Sequence, residues 1–288
     1  MKMNSKKYTV ALMSKVLNVS RSGYYKWLKN LAITTNKADT LNNEIKSIFR
    51  ASNKTYGSPR ITIELRKKNI KSSKSTVARR MESLRIYARA PRKFVNTTDS
   101  NHEYKIADNL LDRKFDVQRP NTVWVSDITY VRVKDKWMYL TTMIDLADRM
   151  IVGWSLSSDM TAENTVCTAF RMGVDRRAIT KENQLMVHSD RGVQYASNEF
   201  RSLIYRYSCI QSMSRKGNCW DNAPAESFFK TIKVESLYRY KFISESQLYS
   251  VIFRYIDGWY NTVRIHSTLG GISPLEAYYQ KTSKLAAA

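Results

Sequence analysis

Three acidic residues, far apart in the chain, sit where a carboxylate needs a reason. Asp127 lies in "TVWVSDITYVRV", an alternating run rich in β-branched and aromatic residues. A lone ionised carboxylate among valines carries a heavy desolvation cost, so Asp127 calls for a cation. Asp190, in "HSDRGVQYASNEF", closes the apolar run Leu185-Met186-Val187 and is followed at once by Arg191 and Gly192. It reads either as a capped turn or as a metal ligand at a strand end. Glu226, in "DNAPAESFFKTIKVE", follows Pro224, a residue tolerated in the first turn of a helix. A helix N-terminus favours negative charge there. Three oxygen donors suit Mg²⁺ or Mn²⁺. Two such ions on a shared carboxylate set perform in-line phosphoryl transfer, one activating the attacking oxygen and one stabilising the leaving oxygen. That chemistry needs no histidine base, and the chain holds only three histidines. Asp145 and Asp148 are rivals, expected instead to shape the turn in "DLADRM". Asp221 is expected to cap the last helix of this region.

The elements around these residues change character at Pro120. Beyond it, "TVWVSDITYVRV" predicts a central strand with Val123, Val125, Asp127, Thr129, Val131 and Val133 on one face and Trp124, Ser126, Ile128 and Tyr130 on the other. "KWMYLTTMIDLA" and "RMIVGWSLS" supply two more strands. A helix capped by Thr161 follows, then a strand in "QLMVHSD", a helix in "SNEFRSLIYRYS", a strand in "CIQSMS" and a helix from about Pro224. Three strands, helix, strand, helix, strand, helix is an α/β order with a mixed sheet. If the first and fourth strands are neighbours, Asp127 and Asp190 face each other.

Ahead of Pro120 the pattern is helical and basic. "YTVALMSKVLNVSRSGYYKWLKN" predicts two short helices, the second capped by Ser20 and presenting Arg21, Tyr24, Tyr25 and Trp27. A helix near 41–51 comes next. "YGSPRITIELRKKNI" places Pro59 in a first turn, and "KSSKSTVARRMESLR" follows with Ser73 or Ser75 as cap. Val77, Met81 and Leu84 recur at helical spacing, which leaves Lys74, Arg79, Arg80 and Arg85 for solvent or phosphate. A helix, a short turn and a basic helix form a helix-turn-helix pattern, whose second helix can enter a major groove. The whole chain carries 48 Lys+Arg against 25 Asp+Glu. Residues 1–118 hold 26 basic and 9 acidic side chains, and residues 119–288 hold 22 and 16. So strong a positive field favours nucleic acid over an anionic membrane as partner, since no amphipathic anchor stands out. No apolar run approaches a membrane span, and no signal peptide is expected. Cys167, Cys209 and Cys219 are scattered, which argues against disulfides or a zinc domain and for a reducing cytoplasm. "KLAAA", residues 284–288, resembles a vector-derived linker.

Four phrases in order carry a resemblance: "WVSDITYV", "HSDRGVQYAS", "SMSRKGNCWDNAPAESFFKTIKVE" and "YNTVRIHSTLGGISPLEA". Thirty-five residues separate Asp190 from Glu226, the D-35-E spacing of retroviral-integrase-like transposases. Together they resemble the large-frame, OrfB-type transposase of the insertion-sequence-three family. "VSRSGYYKWL" and "YGSPRITIELRKKNIKSSKSTVARRM" resemble that family's N-terminal region, so the likeness covers roughly residues 8–280. One departure is Gly271, where many relatives have an aromatic residue.

The resemblance implies an RNase H-like catalytic core preceded by an all-α helix-turn-helix region, with Asp127, Asp190 and Glu226 as Mg²⁺ ligands. It implies that Lys233 contacts DNA. Glu226, Lys230 and Lys233 share one helix face, so Lys230 joins it. Arg191, beside Asp190, and Arg264 with His266, the family's R-x-H pair, are further DNA-contact candidates, with Lys74, Arg79, Arg80 and Arg21 from the N-terminal helices. The expected organisation is a short helix-turn-helix-like segment (1–35), a helix-turn-helix domain (36–90), a basic linker (91–120), the catalytic core (121–240) and a helical extension (241–283). The resemblance implies metal-dependent 3′-end cleavage followed by strand transfer, acting on double-stranded DNA, the terminal inverted repeats and the target. A homo-oligomer on DNA, a fusion with a small upstream-frame helix-turn-helix protein and a nucleoid-associated cytoplasmic location go with it. The rivals are a DNA-binding regulator or transposition inhibitor with an inactive core, and an RNase H-like nuclease without strand transfer.

Overall fold

The computed structural model describes residues 1–88 and 104–286. Residues 89–103, which include much of the expected linker, lie outside the described residues. The chain divides into two compact units, Met1–Ala88 and Arg89–Ala288.

The first unit is helical. α1 spans Val10–Val16, with the Thr9 hydroxyl accepting from the Leu12 N–H. α2 spans Arg21–Ala51, and the expected cap holds: Ser20 Oγ accepts from the Gly23 N–H at 3.0 Å. The sequence suggested two separate helices between 21 and 51. One continuous helix is found instead, because no proline and no glycine beyond Gly23 interrupts that stretch. It therefore runs straight through residues 35 and 36. α3 (Ser58–Lys67) begins with Pro59 in its first turn, and α4 (Lys74–Ser83) is capped by Ser73, whose hydroxyl accepts from the Thr76 N–H at 3.1 Å. Ile45, Ile48, Phe49, Tyr56, Ile61, Leu65, Val77 and Met81 are buried and supply the core of these helices.

The second unit is built on a five-stranded sheet. β1 (Val123–Val133), β2 (Lys136–Asp145) and β3 (Ile151–Ser157) form an antiparallel meander. α5 (Thr168–Arg177) then crosses to β4 (Met186–Ser189). α6 (Val193–Ala196) and α7 (Asn198–Arg206) lead to β5 (Ile210–Met213). The sheet order is β3-β2-β1-β4-β5, with β4 parallel to both β1 and β5. α8 (Ala223–Glu235), α9 (Glu245–Tyr255) and α10 (Pro274–Ala286) complete the chain. α10 thus runs into residues 284–286.

The alternation in β1 sorts two cores. Val123, Val125, Val131 and Val133 pack with Phe228, Phe229 and Ile232 of α8 and with α9. Trp124 packs on the other face with Phe170 of α5 and with Phe200 and Leu203 of α7. Asp127 therefore belongs to the α8 face. Close helix-to-sheet approach depends on paired glycines: a Cβ at Gly153 would fall 2.0 Å from the Ala169 carbonyl oxygen, and one at Gly173 would fall 2.8 Å from Trp124. Residues 104–120, which read as linker, are fastened to this unit. Leu111 is buried in its core, the Leu110 and Leu111 N–H groups donate to Ser212 Oγ, and the Met213 N–H donates to the Asp108 carbonyl.

Candidate active site

β1 and β4 are neighbours and parallel, paired from Val123↔Met186 to Val125↔His188. Two residues further along each strand come Asp127 and Asp190. β4 ends there while β1 continues to Val133, so the β1 edge opens beside the two carboxylates. Asp190 is held by its turn, its Oδ1 accepting from the Gly192 N–H at 2.9 Å. A Cβ at position 192 would stand 3.0 Å from that oxygen and 3.3 Å from Gln194 Oε1, so glycine keeps the space beside Asp190 clear.

Glu226 arrives from the α8 side. It lies in the first turn, as Pro224 implied. The start of α8 is tied to β1 by Asn222, whose amide donates to the Ser126 carbonyl at 2.9 Å, one residue before Asp127. The three carboxylates sense one another. Burial pushes Asp127 well above the ordinary carboxylate range, and the charges of Asp190 and then Glu226 add to this, against the Ile128 N–H and Lys233. Glu226 is also raised, by burial first and by Asp190 second. Lys233, two turns along α8, donates to Thr129 Oγ1 at 2.5 Å. Burial lowers its pKa while Asp127 opposes that shift. Among the described residues no three His, Cys, Asp or Glu side chains are gathered closely enough to hold a metal ion between them as they stand. The donor chemistry nonetheless fits a hard, hydrated divalent ion. The charges of Asp190 and Glu226 are felt at Asp127, and among the buried oxygens without hydrogen-bond partners are Thr142 Oγ1, directly opposite Asp127, and Asn222 Oδ1.

The rival carboxylates have other work. Asp145 accepts from the Asn121 and Ala147 N–H groups, and Asp148 accepts from the Met150 N–H and from Arg177 at 2.7 Å, so both shape the turn as expected. Burial, followed by the Asp148 charge, pushes Asp145 up to about 7. Asp221 does not cap α8. It is fully buried and accepts from Arg215 through its backbone N–H and guanidinium, from Arg113 at 2.7 Å and from Asn109 at 2.9 Å. Those bonds, Arg215's first, hold its carboxyl well below the usual range. Two arginines outcompete a cap's single N–H for one carboxylate.

The remaining candidates separate into exposed and committed groups. Lys230 is exposed on α8, and Lys74, Arg79 and Arg21 are exposed on the first unit, with Arg80 half-buried. Arg191 Nε donates to the Ser214 carbonyl at 2.6 Å. Arg264 is buried, at 3% exposure, and grips both Glu235 oxygens at 2.8 and 2.9 Å, with its NH1 3.0 Å from His266 Nε2. That pair is spent on joining the C-terminal segment to α8, so neither guanidinium nor ring is brought to the carboxylates. His188 is a packed strand residue between Ser212 and Ser214, and burial lowers it to about 4. Trp220, two residues before Asn222, is 69% exposed and lies outside the core. Asn222 escaped notice in the sequence, and Gly192 was noted only as a neighbour of Asp190. Their signal was adjacency to the acidic residues, which alone does not separate a support from a bystander.

Comparison with known proteins agrees with this architecture. Residues 117–219 and 207–274 match integrase core domain families, and residues 37–94 match an HTH-like domain. The transposase InsF for insertion sequence IS3A of Escherichia coli (strain K12) is 37% identical over 270 residues, 93% of each chain. The insertion element IS600 uncharacterized 31 kDa protein of Shigella sonnei is 40% identical over 276 residues, 96% of this chain and all of that one. Among solved structures, the simian T-cell lymphotropic virus intasome in complex with PP2A regulatory subunit B56 gamma aligns with TM-score 0.47 at 13% identity, covering 78% of this chain and 71% of that chain. The HTLV-2 integrase catalytic core domain in complex with magnesium aligns with TM-score 0.42 at 17% identity, covering 56% and 97%. Identity at this level, sustained across both the helical region and the sheet, means that the chain belongs to the insertion-sequence-three family of DNA transposases, polynucleotidyl transferases with an α/β integrase core.

Proposed function

We propose that Asp127, Asp190 and Glu226 are the catalytic carboxylates of this transposase and hold Mg²⁺ or Mn²⁺ during 3′-end cleavage and strand transfer. The observation that carries this is the parallel pairing of β1 with β4, which sets Asp127 beside the Asp190 turn, with the first turn of α8 and its Glu226 tied to β1 through Asn222. Divalent ions bound there supply charge neutralisation and activation of the attacking and leaving oxygens. The chain's own residues do the positioning. β1 and β4 hold the two aspartates by strand pairing, Gly192 keeps room beside Asp190, and Asn222 sets α8 against β1. Lys233 and Lys230 offer cations to a phosphate. Lys74, Arg79, Arg80 and Arg21 provide phosphate contacts from the first unit, and Arg191 does so beside the site. The division of labour is helical recognition before residue 90, catalysis over 121–240 and a supporting extension over 241–283. A homo-oligomer on DNA, and a fusion with an upstream-frame helix-turn-helix protein, complete this reading of a nucleoid-associated enzyme.

The test is substitution with charge removed and shape kept. Asp127→Asn, Asp190→Asn and Glu226→Gln are each expected to abolish cleavage and joining of labelled terminal-repeat DNA while binding survives. Asp127→Asn is also expected to raise the melting temperature in chelator, because it relieves like-charge repulsion and burial of an ionisable group. Near-normal strand transfer by any of the three would assign the chemistry elsewhere.

A further inference from the structure

At the tip of the β1–β2 hairpin only one face of the sheet is covered. Val131, Val133, Met138 and Leu140 face the layer beneath α8 and Phe242. The opposite face carries Tyr130, Arg132, Trp137 and Tyr139, paired across the strands as Tyr130↔Tyr139 and Arg132↔Trp137. None of these four belongs to the core under α5 and α7. Trp137 is left 47% exposed.

Two adjacent rings on this face are bracketed by cations, one of them reaching it from α8 past the open edge of β1. Lys233 Nζ stands 5.6 Å from the Tyr130 ring centroid. Tyr130 meets Trp137 edge to face at 5.1 Å and 82°. The Arg132 guanidinium stands 5.8 Å from the Trp137 ring. The inner end of the series is Lys233, bonded to Thr129 two residues from Asp127. The outer end is Arg132, steadied by the Lys134 carbonyl yet with its side chain 62% exposed. A stretch of aromatic surface with positive charge at each end thus runs from beside the carboxylates to the hairpin tip.

We propose that the Tyr130–Trp137–Arg132 face of the hairpin binds an unpaired DNA strand running out from the active site. The proposal rests on the assignment of Asp127 to the chemistry. Its grounds are continuity with Lys233 and complementarity of charge and surface. Aromatic faces take base faces, and these are available only where bases are unstacked, while flanking cations take the phosphates. Intact duplex offers edges and phosphates but no base faces. A cross-strand aromatic pair also steadies a hairpin. That role asks for no cation at each end and leaves no reason to keep half an indole in water.

The strand has two sources in transposition, the DNA flanking an element end and the target, and both present the same chemistry. The test uses the full chain in chelator, so that binding is read without cleavage. Anisotropy is measured on a blunt duplex and on the same duplex with a short single-stranded overhang. The unaltered protein is expected to prefer the overhang, and Trp137→Ala to lose about tenfold on the overhang substrate with little change on the blunt one. Trp137→Phe is expected to keep most of the preference and the melting temperature, separating stacking from hairpin stability. 5-Iodouracil in the overhang is expected to cross-link within residues 128–138, and placing it in a flank or in a target strand tells which of the two is bound. An unchanged overhang preference in Trp137→Ala, or cross-links confined to other peptides, overturns the proposal. If Trp137→Ala fails to fold, Trp137→Phe and the cross-link position decide it. Because no metal is present, this readout is independent of whether Asp127→Asn abolishes cleavage.

Discussion

The two units of this transposase use charge in opposite ways. In Met1–Ala88 the lysines and arginines of α4 and the start of α2 stand largely in water around an apolar core. In the sheet unit the important charges are buried against named partners: Asp221 between Arg113 and Arg215, Arg177 against Asp148, Arg264 against Glu235. An exposed cation contributes to a field that many residues share, so each is replaceable. A buried ion has one partner, and losing that partner strands a charge in a poor solvent. The first unit should fail gradually under substitution, and the second abruptly.

The broadest way to break this comparison is to remove the first unit altogether. A chain beginning at residue 104, which keeps the Arg113–Asp221 attachment, is expected to fold and to lose orders of magnitude in affinity for terminal-repeat DNA. Its salt dependence should flatten, since each neutralised phosphate contributes a slope of about −0.9 in log K against log salt. Binding titrations at several salt concentrations decide it, and unchanged affinity and slope would move recognition into the core.

Next in size is a buried pin. Arg264→Ala leaves Glu235 without its bidentate partner and is expected to cost about 3–5 kcal/mol in denaturant unfolding. A loss below about 1 kcal/mol would put this pair in the class of surface charges.

A smaller effect follows from the Asp145–Asp148 turn. Burial raises the Asp145 pKa to about 7 in the folded chain. A carboxyl raised on folding binds its proton more tightly in the native state. Its contribution to stability is therefore greatest below the unfolded value near 4 and is lost as pH rises towards 7. Asp145→Asn is expected to flatten the decline of melting temperature between about pH 4 and 7, and an unaltered profile would show that Asp145 stays ionised throughout. The smallest change belongs to Arg79→Ala in the first unit. It should shift stability by less than about 0.5 kcal/mol and reduce the salt slope by about one contact.

Much of the sheet unit was legible in its sequence because strand alternation is a local signal. Val123 and Val125 fell on one face of β1 and Trp124 on the other, as a period of two requires. Pro224 placed Glu226 in a first turn for an equally local reason. What could not be read was partnership across distance. Asp221 and Asn109 are 112 positions apart, and Arg264 and Glu235 are 29 apart. Nothing in either neighbourhood announces the pairing, so Asp221 read as a helix cap and Arg264 as a DNA contact. The linker reading of 104–120 failed similarly, because its polar composition hid one well-buried leucine, Leu111.

The Asp221 junction also has a mechanical side. The segment that leads into the sheet unit and the loop that leads into α8 share this one carboxylate, gripped by Arg113 from the first and Arg215 from the second. A pull on the chain ahead of residue 109 is shared between the bond from the Met213 N–H of β5 to the Asp108 carbonyl and the cluster of Asn109, Arg113 and Asp221. Asp221 precedes Asn222, the residue that sets α8 against β1. Tension on the incoming chain would thus divide between β5 and, through a latch of charge-assisted hydrogen bonds, the root of the helix that carries Glu226.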